Sequence, residues 1–227
     1  MGVFKGPAPR KDIPFGPILE PLFTQLENEL TWLSAKWLEY CRLFAKSKER
    51  VDLLNEMADF SFGIVQETMW ENIILHIARL TDPATMGKYS NMTMLRLRDV
   101  SYCTQEVTDQ VMTLVTDAEE KAKFSREWRN KHLAHIDVDA NLGRTVHLLA
   151  PITRQQIDNS LKSFMTLLNE ISRAYKETEI GFDNFISYND GDTLVYHLEK
   201  ARLYEAQRQE RLNAGKPLPE DFQGGKL

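Results

Sequence analysis

The sequence predicts an all-α protein: an up-and-down four-helix bundle with a short extra helix and a charged C-terminal helical tail. Three observations predict it. Apolar residues recur at three- and four-residue steps through long stretches of the 227 residues. Strand signals are nearly absent. Prolines and capping sequences fall between the periodic runs, where bundle loops belong.

Residues 1–21 carry Pro7, Pro9, Pro14, Pro17 and Pro21 with three glycines, the composition of an extended arm outside the core. A first long helix should begin near Pro17, with Leu22, Phe23, Leu26, Leu30, Leu33, Trp37, Tyr40, Cys41 and Phe44 at helical spacing. A second runs from about Glu49 to Leu80 through Leu53, Leu54, Met57, Phe60, Ile64, Met69, Ile73, Ile74 and Ile77. Phe62 and Trp70 widen its apolar stripe, so it should be buried on more than one side by other helices and a second subunit. Asp82-Pro83 ends it, because proline disfavours helical geometry at the preceding residue. A loop with Gly87 and Tyr89-Ser90 leads to a short helix around Met92 to Val100.

The third long run covers roughly Gln105 to His135, with capping-box spacing at Asp117-x-x-Glu120 predicting a restart there. Residues 137–151 read as a turn with a small hairpin ending in Val146 to Leu149. A second capping box, Thr153-x-x-Gln156, opens a fourth helix through about Lys176, with Leu161, Phe164, Leu168 and Ile171 as its stripe. Residues 181–192 are irregular, Leu194 to Asn213 is a charged amphipathic segment, and the Gly-, Pro- and Lys-rich end from Gly215 should fray. The organisation is thus an arm (1–21), a bundle (22–177) and a charged extension (178–227).

Hydrophobic content of 42% with 27% charged residues is the profile of a soluble globular chain. No window approaches eighteen uninterrupted apolar residues, no basic-then-apolar leader stands at the start, and Gly6 replaces the Ser or Thr that myristoylation needs. The expectation is a cytoplasmic protein without a membrane partner, its Cys41 and Cys103 buried as free thiols. A net charge of −5 argues against non-specific coating of nucleic acid. The charge is uneven: Lys121, Lys123, Arg126, Arg129 and Lys131 face only Glu127 between positions 121 and 132. Such a run suits a phosphate-binding patch, or a solvated face whose cations complement the helix dipole.

That basic run leads into Arg129-Asn130-Lys131-His132-Leu133-Ala134-His135. Earlier in the chain stands Ile77-Ala78-Arg79-Leu80-Thr81-Asp82, before a loop and a short helix. The first block resembles the R-x(4–6)-H signature of the HEPN superfamily (higher eukaryotes and prokaryotes nucleotide-binding). Together the two look like its AbiU-type branch, associated with abortive infection and toxin–antitoxin systems. The resemblance spans about residues 20–175 and leaves the last fifty uncovered. It implies an HEPN-like bundle that cuts RNA without metal or other cofactor, by attack of a ribose 2′-OH on the adjacent phosphorus. Products would be a 2′,3′-cyclic phosphate and a 5′-OH.

Arg129 and His135 inherit the catalytic roles through this resemblance, with Asn130 positioning phosphate or orienting the histidine. An imidazole titrating near neutrality suits general acid–base work. A guanidinium offers fixed donors to phosphate oxygens. Lys123, Arg126, Lys131 and His132 are substrate contacts. Residues six apart on an ideal helix lie about 120° apart around its axis. A shared site therefore needs arginine's reach, a nearby helix end, or a homodimer whose paired motifs line one cleft, as HEPN proteins typically form.

Several readings compete. Arg126 and His132 repeat the six-residue step, but Glu127 would repel phosphate. His132, His135, Asp137 and Asp139 have a metal-site look, with His76 approaching from the second helix, yet no third helix-borne ligand is visible and no metal is expected. Glu67, Glu71 and His76 read as a polar stripe flanking the core. A non-catalytic module binding RNA or an antitoxin protein is the alternative function. Some HEPN relatives carry a modified Tyr just after the motif histidine; Ile136 and Asp137 stand there instead.

Overall fold

The structure, a computed structural model, describes residues 14–133, 151–184 and 189–222. It is mostly helical: α1 (Gly16–Phe44), α2 (Lys48–Leu80), α3 (Gln105–Lys121), α4 (Lys123–Trp128), α5 (Arg154–Lys176) and α6 (Gly191–Asn213). Short 3-10 turns cover Met94–Asp99 and Pro219–Phe222, and a π-helical turn covers Arg129–Leu133. Two-residue strands β1 (Thr85–Met86) and β2 (Tyr89–Ser90) pair antiparallel. Gly87, at φ +60°, supplies the left-handed residue their two-residue turn requires. Among the described residues no helix is long and apolar enough to cross a membrane.

The chain divides into two compact units, residues 1–35 with 71–184, and residues 36–70 with 185–227. In the first, α3 packs along α5 and on the Met94–Asp99 turn. Its core takes Phe23, Leu26 and Leu30 from α1 and Ile73, Ile74 and Ile77 from α2, all at most 1% exposed. Val111 and Val115 from α3 join Phe164, Leu168 and Ile171 from α5, all fully buried. These are the helical stripes of the sequence, turned inward. In the second unit Trp37 stacks on Tyr40 with ring centres 5.5 Å apart, and Trp70 packs against both. Asp190 caps α6 through the Thr193 amide, and Arg42 pairs with Asp190.

Several elements differ from expectation. The arm ends earlier than residue 21: α1 starts at Gly16, and Phe15 and Leu19 are core residues. Gly16 takes φ +77° at the entry, Pro17 tolerates the first turn, and Pro21 forfeits a single bond close to the helix start. α2 is interrupted at Ala58, whose φ of −167° and ψ of 69° are extended. Phe60 and Ile64 just beyond are 78% and 50% exposed in this chain, so the other helices of the same chain do not cover them. The expected restart at Asp117 does not occur; Asp117 pairs with Lys121 inside α3, and the break falls at Ala122.

Thr153–Gln156 forms its capping box as expected, and α5 ends at Glu177 in the left-handed conformation. Neither cysteine is in a disulfide, but Cys41 is only half-buried and Cys103 is exposed, in the loop before α3. The Tyr175 hydroxyl accepts the Cys103 amide at 3.0 Å and pins that loop. The tail is tied down through residue 222: buried Asp221 receives Arg211 and the Leu218 amide. The hairpin expected near 146–149 lies outside the described residues.

Candidate functional site

The two sequence blocks meet at the C-terminal end of α2, and a break in the third helical run brings them together. Ser160 on α5 donates its hydroxyl to the Lys121 carbonyl at 2.9 Å, taking a group that helix continuation would use. Fully buried Ser125 bonds back to the Ala122 carbonyl at 2.6 Å and fastens the start of α4. Arg126 then reaches α2: Nη1 donates to Thr81 Oγ1 at 2.7 Å and to its carbonyl at 3.2 Å. Its Nη2 donates to the Glu119 carbonyl at 3.1 Å. Thr93 closes the same helix end by donating to the Leu80 carbonyl at 2.9 Å.

Arg129 makes the second link. Its Nη1 donates to both Asp82 oxygens, at 2.5 and 2.7 Å, and its Nε donates to Asn130 Oδ1 at 3.2 Å. Both partners of the ion pair are largely buried, with side chains 21% and 13% exposed, so solvent screens them less than a surface pair. Nη2 of Arg129 has no partner among the described residues. The pair sits where the helix widens into the π turn Arg129–Leu133, a distortion that recurs at functional sites because it re-aims side chains without ending the helix. The negative end of the α2 dipole also favours the three cations gathered there, Arg79, Arg126 and Arg129.

Asp82 also lines a cavity of about 260 Å³, together with Glu29, His76, Arg79, Leu80, Asn91 and Met92. His76 is only 1% exposed and its Nε2 lies 2.7 Å from Glu29 Oε2. Arg79 is exposed and has no ion-pair partner among the described residues. Asn91 and Met92 also line a larger, more apolar cavity of about 480 Å³ with Ile18, Pro21, Leu22 and Gln25.

The sequence-predicted residues fall into three groups. Arg129 and Asn130 are together, with Asn130 exposed beside the guanidinium. Lys123 and Lys131 are exposed, whereas Arg126 spends its donors on Thr81 and Glu119 as a cross-brace. His132 belongs to the π turn; His135, Asp137 and Asp139, on which the competing metal reading turns, lie outside the described residues. Among the described residues no group of three His, Cys, Asp or Glu is arranged to hold a metal. Glu67 and Glu71 are exposed, but His76 is a buried residue paired with Glu29 and not part of a flanking stripe.

Sequence reading missed Asp82 as the Arg129 partner, the Glu29–His76 pair and the role of Arg79. Asp82 both stops the second helix and closes the Ile77–Asp82 block, and its place in that block is the available signal. Glu29 had none, since a carboxylate 47 positions from His76 is visible only in space.

The joined blocks belong to one recognised pattern: the HEPN AbiU2 family model matches residues 17–194. The chain belongs to the HEPN AbiU2 family. The match extends past residue 175 into the first turn of α6, so more of the extension is family sequence than the two blocks suggested. Membership makes the chain an HEPN-type module of the abortive-infection context. Searches of the curated proteins and of the solved structures gave no match.

Proposed function

We propose that this AbiU2 protein is a metal-independent endoribonuclease, cutting RNA by 2′-OH attack in phage defence or a toxin–antitoxin system. The observation that carries the reading is the Arg129–Asp82 ion pair, which fixes the motif arginine against a carboxylate that lines a cavity and leaves Nη2 still to give. A held guanidinium stabilises charge on a phosphorane better than a mobile one, because it needs no reorganisation as the charge develops. Asp82 is then a positioning residue, Asn130 holds the Nε side, and His135 supplies acid–base chemistry. Exposed Lys123 and Lys131 add sequence-independent attraction to phosphate. His132 is a further contact, and a second copy of the chain completes the cleft.

A specific observation favours the alternative, a non-catalytic module binding RNA or an antitoxin. Arg126 and Arg129 both brace α4 and the π turn onto the end of α2, which is a sufficient structural task for two arginines. Arg129→Lys separates the readings. It keeps a cation near Asp82 but loses the fork that grips phosphate. The ribonuclease reading expects cleavage to collapse with the melting temperature nearly unchanged. The bracing reading expects a lower melting temperature and no cleavage in the parent protein. Sedimentation velocity tests the dimer; a monomer at micromolar concentration would contradict it.

A further inference from the structure

The cavity beside Asp82 carries a second inference, which rests on RNA being the ligand of this site. Its lining is chemically lopsided in an informative way. One side offers the Glu29 carboxylate, held at 2.7 Å by buried His76. Another offers Arg79, exposed and without an ion-pair partner among the described residues. Leu80 and Met92 supply apolar wall, while the other polar lining groups are engaged: Asp82 by Arg129, and the Asn91 amide by the Pro83 carbonyl. At about 260 Å³ the space falls just under the roughly 300–1,000 Å³ that holds drug-sized ligands, a size suited to one ring system.

We propose that this cavity is a guanine-binding pocket that sets the sequence preference of the adjacent RNA site. A carboxylate only accepts hydrogen bonds, and a guanidinium only donates them. The base that fits must therefore present neighbouring donors on one edge and neighbouring acceptors on another. Guanine does so: N1–H and the N2 amine face a carboxylate, while O6 and N7 take an arginine in the commonest specific contact of that cation. Adenine turns its N1 acceptor toward the carboxylate and gives arginine one acceptor beside an amine. Uracil has a single donor flanked by two carbonyl oxygens, and cytosine sets an acceptor beside its amine. Apolar wall accommodates the faces of any base, so it adds affinity without choice.

The placement gives the two halves of the site distinct tasks. Arg129, across Asp82, meets phosphate whatever the sequence, while Glu29 and Arg79 read the base. His76 acts on Glu29: by donating to one lone pair of Oε2 it fixes the carboxylate plane and leaves Oε1 and the second lone pair of Oε2 for the two guanine donors. Because Arg79 is exposed at the lip, replacing it leaves the core intact. Because Glu29 holds a buried histidine, Glu29→Gln is the more disruptive change and is judged beside Arg79→Met.

Fluorescence anisotropy on the full chain tests the pocket without requiring cleavage. The probes are fluorescein-labelled 2′-O-methyl pentanucleotides UUGUU, UUAUU, UUCUU and UUUUU, which lack the attacking hydroxyl. The expected result is binding of UUGUU about tenfold or more tighter than the other three. Arg79→Met should remove that preference, bringing UUGUU down to the affinity the variant shows for the other three probes. Equal affinity for all four, tightest binding to another base, or a guanine preference that survives Arg79→Met overturns the proposal. Absence of binding to any probe overturns it too. Cleavage of RNA with no guanine preference would sink the pocket and spare the ribonuclease reading. A guanine preference in a protein that never cleaves would do the reverse.

Discussion

Arg129 Nη1 sits within hydrogen-bond distance of both carboxylate oxygens of Asp82, 47 positions earlier in the chain. The ion pair joins the end of α2 to the π turn, with Nη2 of Arg129 unbonded among the described residues. Its two sides have opposite effects on a phosphate. The carboxylate orients the guanidinium, and it also repels the anion that the guanidinium is to receive.

Asp82→Asn separates those effects. The amide keeps one acceptor for Nη1 and removes the negative charge. With Asp82 as a positioning residue, kcat should fall about 10–100-fold as the guanidinium loses its fixed pose. KM should hold steady or fall, since a charge that repelled phosphate is gone. Steady-state kinetics on an RNA oligonucleotide read both numbers. A raised KM with unchanged kcat would assign Asp82 to substrate binding instead.

Arg126 should behave differently from Arg129. Its guanidinium donates to Thr81 Oγ1, the Thr81 carbonyl and the Glu119 carbonyl. Thr81 is 1% exposed, so water cannot replace these bonds easily. Arg126→Met should cost about 1–3 kcal/mol of stability through unsatisfied buried acceptors, seen as a lower denaturant midpoint. A phosphate contact would instead leave the midpoint alone and reduce the salt slope of RNA binding by about one.

These two arginines show what the sequence could and could not carry. Spacing placed both on one helical run with equal claims, and Glu127 was the only feature that ranked them. In the structure their bonding differs: Arg126 spends both of its terminal nitrogens on the protein, while Arg129 uses Nη1 and Nε among the described residues. The helical stripes around Phe23, Ile73 and Phe164 were legible because burial of one face imposes a 3.6-residue period. The break at Ala122 was not, because it depends on Ser160 of α5 taking the Lys121 carbonyl. A tertiary hydrogen bond across 39 positions leaves no local pattern. Asp117-x-x-Glu120 had the right spacing, but a neighbouring Lys121 claimed the carboxylate and the helix ran on.

The α5 cap is a local device and should have a local cost. The Thr153 hydroxyl accepts the Gln156 amide, and the Gln156 side chain accepts the Thr153 amide at 2.8 Å. Thr153→Ala removes half of that exchange and should lower stability by about 0.5–2 kcal/mol. Chemical denaturation monitored by helical circular dichroism checks it; no change would mean that the cap is redundant with tertiary packing.

Acid should loosen the tail before the bundle. Hydrogen bonds from Arg211 and the Leu218 amide hold the Asp221 carboxyl at about 2, against about 3.9 for a free aspartate. A carboxyl lowered on folding contributes stability that is complete above the unfolded value and lost as pH falls through the folded one. The tail contact should therefore weaken between about pH 4 and pH 2. Fluorescence of a dye attached near residue 218 should report a transition in that window, absent in Asp221→Asn. A transition that persists in the variant would assign it to another carboxylate.

The ribonuclease reading stands or falls on incubating RNA with the purified protein in EDTA and identifying the new ends. It predicts fragments with 2′,3′-cyclic phosphate and 5′-OH termini, no cutting of the all-deoxy strand, and no cutting by His135→Ala with its helical signal intact. Absence of RNA cleavage, equal cutting of the deoxy strand, or full activity in His135→Ala would contradict it.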